Sequence, residues 1–77
     1  MLMKELVETI AKALVEYPDQ VVVREEEGEG ILEIKLQVAP SDMGKVIGRG
    51  GKIAKAIRAV VKAASAKSDK KVFVDIE

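Results

Sequence analysis

The chain has 77 residues, 48% apolar and 34% charged, which is room for one small globular domain; no apolar run approaches the about 18 residues of a membrane span. Cysteine and histidine are both absent, which removes disulfides, the common zinc sites and the Ser-His-Asp and Cys-His schemes of nucleophilic catalysis. The net charge of zero hides a segregation: residues 1–34 hold three basic and nine acidic side chains, residues 35–71 ten basic and two acidic, a pattern that implies a local positive surface.

Along the chain, Met3, Leu6, Val7, Ile10, Ala13, Leu14 and Tyr17 recur at spacings of three and four, which predicts one amphipathic helix. Lys4, Glu5 and Glu8 interrupt the start of this segment, so no export signal is expected. Glu8 and Lys12 form a favourable i,i+4 pair, and Pro18 is expected to end the helix by pushing its predecessor out of the α region. Val21, Val22 and Val23 predict a strand that runs into Arg24 and three glutamates. Residues 31–38 alternate cleanly, with Leu32, Ile34, Leu36 and Val38 on one face, and Gly28-Glu29-Gly30 supplies a short hairpin loop. Pro40 closes that strand. Ser41 is expected to cap a short helix over residues 42–47, with Asp42 at its positive end. Gly48-Arg49-Gly50-Gly51 breaks it, and a second helix is predicted over 52–66, its stripe being Ile53, Ile57, Val60, Val61 and Ala64. Val72, Val74 and Ile76 alternate in a last strand over 71–76. The order is α-β-β-α-α-β, an α+β domain whose three strands form one sheet with three helices packed on a single face.

The glycine turn carries the functional signal. A Walker A loop requires glycine where Val46 stands and Ser or Thr where Ile53 stands. A dinucleotide-binding fingerprint from Gly48 also fails at Ile53, and this turn joins two helices rather than a strand and a helix. What remains is a GxxG turn within Val46-Ile47-Gly48-Arg49-Gly50-Gly51-Lys52-Ile53. A nucleic-acid backbone approaches such a turn closely because three of its four residues lack a Cβ. Unpaired N–H groups at the start of the following helix favour a phosphate there. Arg49 offers a guanidinium to phosphate oxygens, Lys45 precedes the turn, and Lys52, Lys55, Arg58 and Lys62 follow at helical spacing. The plainer reading is a glycine-rich helix–helix turn with a solvated basic face.

Preceded by Val-Ile, following a strand that ends at Pro40 and opening an amphipathic helix, this motif resembles the KH domain, a module for single-stranded nucleic acid. The element order resembles the type II version of the fold over essentially the whole chain. The run Gly51-Lys52-Ile53-Ala54-Lys55-Ala56-Ile57-Arg58 is most similar to the small stand-alone bacterial KH proteins, the KhpA family. The resemblance implies a cytoplasmic, non-enzymatic protein that clamps about four unpaired nucleotides of single-stranded RNA beside the turn, as an RNA chaperone or post-transcriptional regulator. It also implies pairing with itself or with a second KH-containing protein, and no metal or cofactor. The site residues it implies are Lys45, Val46, Ile47, Gly48, Arg49, Gly50, Gly51, Lys52, Ile53 and Lys55. Val46, Ile47, Ile53 and Ala54 are the candidates for an apolar floor, some of which must serve the core instead.

Two further expectations concern the rest of the chain. Tyr17 and Phe73, its two aromatic residues, stand away from the turn in sequence and are expected to pack, leaving recognition without aromatic stacking. Glu25, Glu26, Glu27 and Glu29 are placed in the loop between the first two strands, where they either repel phosphates beside the groove or serve as a solubilising edge. The rival to RNA binding is a protein-assembly subunit, with nucleic acid, RNA or single-stranded DNA, as a secondary ligand.

Overall fold

The computed structural model describes residues 3–77; of Arg49 it describes the backbone. The order is α1 (Met3–Leu14), β1 (Val22–Gly28), β2 (Ile31–Gln37), α2 (Pro40–Ile47), α3 (Lys52–Ala64) and β3 (Lys71–Ile76). Single 3-10 turns stand at Pro18–Gln20 and Arg49–Gly51. This is the α+β arrangement of a type II KH fold: three helices on one mixed, three-stranded sheet.

β2 is the central strand, antiparallel to β1 and parallel to β3. Successive side chains alternate across the sheet, so one face carries Val23, Ile34, Leu36, Val72, Val74 and Ile76. That face meets Val7 and Ala11 of α1, Val46 of α2, and Ala54, Ile57 and Val61 of α3 in one core. The opposite face is open and carries Arg24, Glu26, Glu33, Lys35, Phe73 and Asp75. There Lys35 lies 3.3 Å from Glu26 and 3.5 Å from Glu33. The hydrogen bond and charge of Glu26, aided by Glu33, raise the pKa of Lys35 above its ordinary value of 10.5.

Four details differ from the sequence reading. First, α1 stops at Leu14, and Ala13, Leu14 and Tyr17 are exposed rather than packed. The N–H groups of Glu16 and Tyr17 do not continue the helical ladder but donate to the Asp42 carboxylate, at 3.0 and 3.1 Å. Second, the glutamates at 25, 26 and 27 belong to β1, paired with Ile34, Glu33 and Leu32. Ladder bonds come from the backbone, and an edge strand leaves those carboxylates in water, so β1 tolerates them; only Glu29 and Gly30 form the turn. Third, α2 starts at Pro40 with Ala39 as its cap, not at Asp42 with Ser41. Proline fits a first helical position, having no N–H to lose there and a preset φ. Fourth, α3 ends at Ala64 and buries Ala54, Ile57 and Val61; Val60 and Ala64 of the expected stripe face solvent. The Glu8–Lys12 pair forms at 2.9 Å as expected.

Candidate nucleic-acid interface

The glycine turn is built by three separate requirements. Gly48 ends α2 by turning extended (φ −74°, ψ −178°), while its N–H donates to the Gly44 carbonyl at 2.8 Å. A Cβ on Gly48 would stand 2.2 Å from that carbonyl oxygen, so only glycine closes the helix this tightly. Gly50 (φ 75°) and Gly51 (φ 66°) are left-handed, a region that L side chains enter at a cost of about 1–2 kcal/mol. A Cβ at either position would meet nothing within 4 Å, so the backbone lies bare to solvent where a ligand can reach it. No side chain caps the start of α3, so the N–H groups there that the Arg49–Gly51 turn does not engage can meet an anion.

The side chains named from sequence divide into three groups. Val46 and Ala54 are core residues, 1% and 6% exposed, and Ile53 is partly buried against the same core. Ile47 stands 55% exposed. With Gly51, Ala54, Lys55, Arg58, Asp75 and Ile76 it bounds a cavity of about 220 Å³ between α3 and β3. Lys45, Gly48, Lys52 and Ile53 bound a second cavity of about 380 Å³, whose lining shares no residue with the first. The Arg49 guanidinium lies outside the described residues. Lys45 donates to the Glu16 carboxylate, so its charge is already engaged. Among the described residues Lys52, Lys55, Arg58, Lys62 and Lys71 take part in no ion pair.

β3 supplies what the sequence could not assign to the site. It is an edge strand, and Lys71 and Glu77 donate their N–H groups to the Gly30 and Leu36 carbonyls on the β2 side. In a parallel ladder the intervening Val72, Val74 and Ile76 then turn their N–H and C=O groups to the open edge, beside α3. Phe73, expected to pack, is 52% exposed on this strand, and Tyr17 is 47% exposed. Phe73 alternates onto the open face of the sheet, away from the helices, and so stands outside the core. The acidic hairpin sits at the far end of β3 from the glycine turn: Lys71 begins the strand beside Gly30, Lys70 pairs with Glu27 at 2.7 Å, and Asp75 and Ile76 reach the cavity at Gly51. Among the described residues no group of three or more acidic side chains could hold a metal ion, and no helix is long and apolar enough to cross a membrane.

Comparison with known proteins agrees with this geometry. The sequence matches the family described as KhpA/KhpB, KH domain, over residues 4–76. It is 60% identical over 74 residues to the RNA-binding protein KhpA of Clostridium acetobutylicum, and 61% identical over 74 residues to that of Clostridium perfringens. The corresponding protein of Caldanaerobacter subterraneus subsp. tengcongensis is 60% identical. Each alignment spans 96% of this chain and 99% of the relative. A type II KH fold, a GxxG turn between α2 and α3, and relatives matched from end to end make one conclusion: the chain belongs to the KhpA/KhpB family of KH domains.

Proposed function

We propose that this protein is a non-enzymatic, cytoplasmic RNA-binding protein that clamps about four nucleotides of single-stranded RNA between the glycine turn, α3 and β3, as an RNA chaperone or post-transcriptional regulator. The observation that carries this is the left-handed Gly50-Gly51 pair, bare to solvent, opening α3 beside a cavity framed by Lys55 and Arg58. Its relatives are named RNA-binding proteins. Phosphates lie on the exposed backbone and the α3 N–H groups, Lys52 and Lys55 supply charge, and Ile47 contacts bases from the turn side. Three phosphate contacts give a single-strand salt slope of about −2, so raising salt from about 50 to about 200 mM weakens binding roughly 20-fold. So weak a single site favours pairing, with itself or a second KH-containing protein, because two linked grooves gain effective concentration.

The test is fluorescence anisotropy with short random single-stranded RNA at those two salt concentrations. The native protein is compared with an Arg49→Asp, Gly50→Asp double variant, and circular dichroism checks the fold of both. Binding that salt weakens and the folded variant loses upholds the clamp. Equal behaviour of the two folded proteins reduces the turn to architecture and gives precedence to the assembly role, which solution mass would then examine.

A further inference from the structure

The open face of the sheet, on the side away from the helices, carries a pattern that complements itself. β3 alternates Lys71, Phe73 and Asp75 onto this face, all three exposed, while Val72, Val74 and Ile76 turn to the core. Phe73 is 52% exposed, and Ile31 and Val22, on the same face by register, are exposed with it. The other charges of the face are matched within the chain. Arg24 meets Glu77 at 3.0 Å, and Lys35 lies 3.3 Å from Glu26 and 3.5 Å from Glu33. Among the described residues Lys71 and Asp75 take part in no ion pair. They stand two positions either side of Phe73, with opposite signs.

From this we infer that the open face packs on the same face of a second copy of the chain, β3 crossing antiparallel over β3 about a two-fold axis at Phe73. The inference names a surface for the self-pairing proposed above and rests on that reading. A two-fold contact joins one patch to itself, so the patch must be its own complement. With Phe73 on the axis, the Lys71 of each copy faces the Asp75 of the other, and the two rings meet at the centre. Packed sheets lie about 10 Å apart with their strands within about 30° of alignment, a gap that two phenyl rings fill and that a lysine and an aspartate bridge together. Glu33 then faces its own copy, but each brings Lys35 at 3.5 Å, which compensates the two carboxylates. The near balance of basic and acidic side chains on this face gives a polyanion no reason to settle there. The glycine turn lies beyond the opposite face, so pairing leaves both clamps open and supplies the linked grooves that raise effective concentration. Three strands of about six residues make a face of about 14 by 20 Å, short of the about 800 Å² a side of a standard interface, so the pairing is weak and depends on concentration.

The experiment is sedimentation equilibrium of the intact chain, without RNA, from about 10 µM to about 1 mM, a span that brackets the weak affinity such a face supports. The average mass is expected to rise from one chain toward two and to stop there. Phe73→Thr keeps a strand-favouring residue and should weaken pairing about thirtyfold, the effect of removing a central aromatic anchor. Lys71→Glu alone sets like charges opposite one another at both symmetric contacts, as does Asp75→Lys alone, and each should weaken pairing about tenfold. The double variant Lys71→Glu, Asp75→Lys reverses both members of each contact and should restore pairing to within about threefold of native. Circular dichroism checks that every variant folds, and a general loss of charge or packing would not give that rescue. A dimer that Phe73→Thr and the single reversals leave intact lies on another face, which overturns the proposal while self-pairing stands. A double variant no better than the single ones overturns it too. A native chain that stays single at the highest concentration refutes self-pairing and this proposal with it. A mass that grows past two chains marks a head-to-tail contact and likewise overturns it.

Discussion

Replacing Asp42 by alanine tests the joint that holds the glycine turn in place. Asp42 is 1% exposed, in the first turn of α2, and its two carboxylate oxygens accept the N–H groups of Glu16 and Tyr17 at 3.0 and 3.1 Å. These donors lie in the segment that leaves α1, so one side chain fixes α1 to the helix whose other end carries Gly48. A hydrogen bond to a charged group contributes about 1.5–3 kcal/mol net, so two give about 3–6. Removing the carboxylate also relieves the cost of keeping a charge out of water, and both donors belong to exposed residues that water can reach. These offsets bring the expected loss to about 3 kcal/mol.

For 77 residues the whole stability is about 4–12 kcal/mol, so the change is large. It corresponds to a fall in melting temperature of about 12–24 °C. Asp42→Asn keeps one acceptor and turns an amide N–H₂ toward the other donor, so about 2 kcal/mol should be lost. Urea and thermal unfolding followed by circular dichroism measure both variants, with the exposed Asp19→Ala as a control expected within about 0.5 kcal/mol of native. An Asp42→Ala loss no greater than that of the control would refute the reasoning, since the freed N–H groups would then be satisfied by water at no cost.

Other outcomes follow from single contacts. Gly44→Ala should stabilise by about 0.5–1 kcal/mol, because a Cβ there meets nothing within 4 Å and the site is a helix interior; Gly48→Ala, whose Cβ would stand 2.2 Å from the Gly44 oxygen, should cost about 1–3 kcal/mol, and urea midpoints separate the two. Glu16→Gln frees Lys45 from its ion pair and should tighten RNA binding about twofold at low salt while steepening the salt slope by about 0.7, read from anisotropy titrations. Lys35 has a raised pKa in the fold, so its stabilisation is present below the ordinary value of 10.5 and is lost as pH climbs through the higher folded value. Urea unfolding should therefore find Lys35→Met less stable than native at about pH 8, with the gap closing as pH rises past the ordinary lysine value.

The fold was legible because its signals are local. The i, i+3 pair Val7 and Ile10, the alternation of Ile34 and Leu36, and the punctuation at Pro40 and Gly48 each follow from short-range geometry that tertiary contacts then reinforce. What was not legible depended on contacts far apart in the chain. Asp42 reads in sequence as a charge for the helix dipole, but its partners lie 25 and 26 residues away. The glutamates of β1 read as a loop because their side chains disfavour strands, whereas the register with β2 holds them by backbone alone. At the site, the glycine turn was readable residue by residue. Its opposite wall was not, since Asp75 and Ile76 join it only through the parallel pairing of β2 and β3. Val46 and Ile47 show the same limit more sharply: adjacent apolar residues of one helix, one 1% and the other 55% exposed, assigned to core and surface by the packing of α2 alone.

The segregated charge now has a place in the molecule, and with it a consequence for salt dependence. The acids of β1 lie on one edge of the sheet and the groove on the other, with β2 between. Two inter-strand spacings separate the edges by about 10 Å. That equals the Debye length near 0.1 M salt, so at about 0.15 M and above a strand in the groove is largely screened from Glu25 and Glu26 while still touching Lys55 and Arg58. Near 0.01 M the screening length reaches about 30 Å, and the acidic edge then repels the phosphates that α3 attracts. A uniformly basic domain keeps gaining affinity as salt is withdrawn; this one should not. The plot of log affinity against log salt is expected to follow the slope of about −2 above roughly 0.1 M and to flatten below about 0.03 M. Replacing Glu25 and Glu26 by glutamine should straighten the line at the low-salt end and leave the high-salt end where it was. A straight line in the native protein would show that the two edges act independently, and that the glutamates serve only the solubility of an exposed strand.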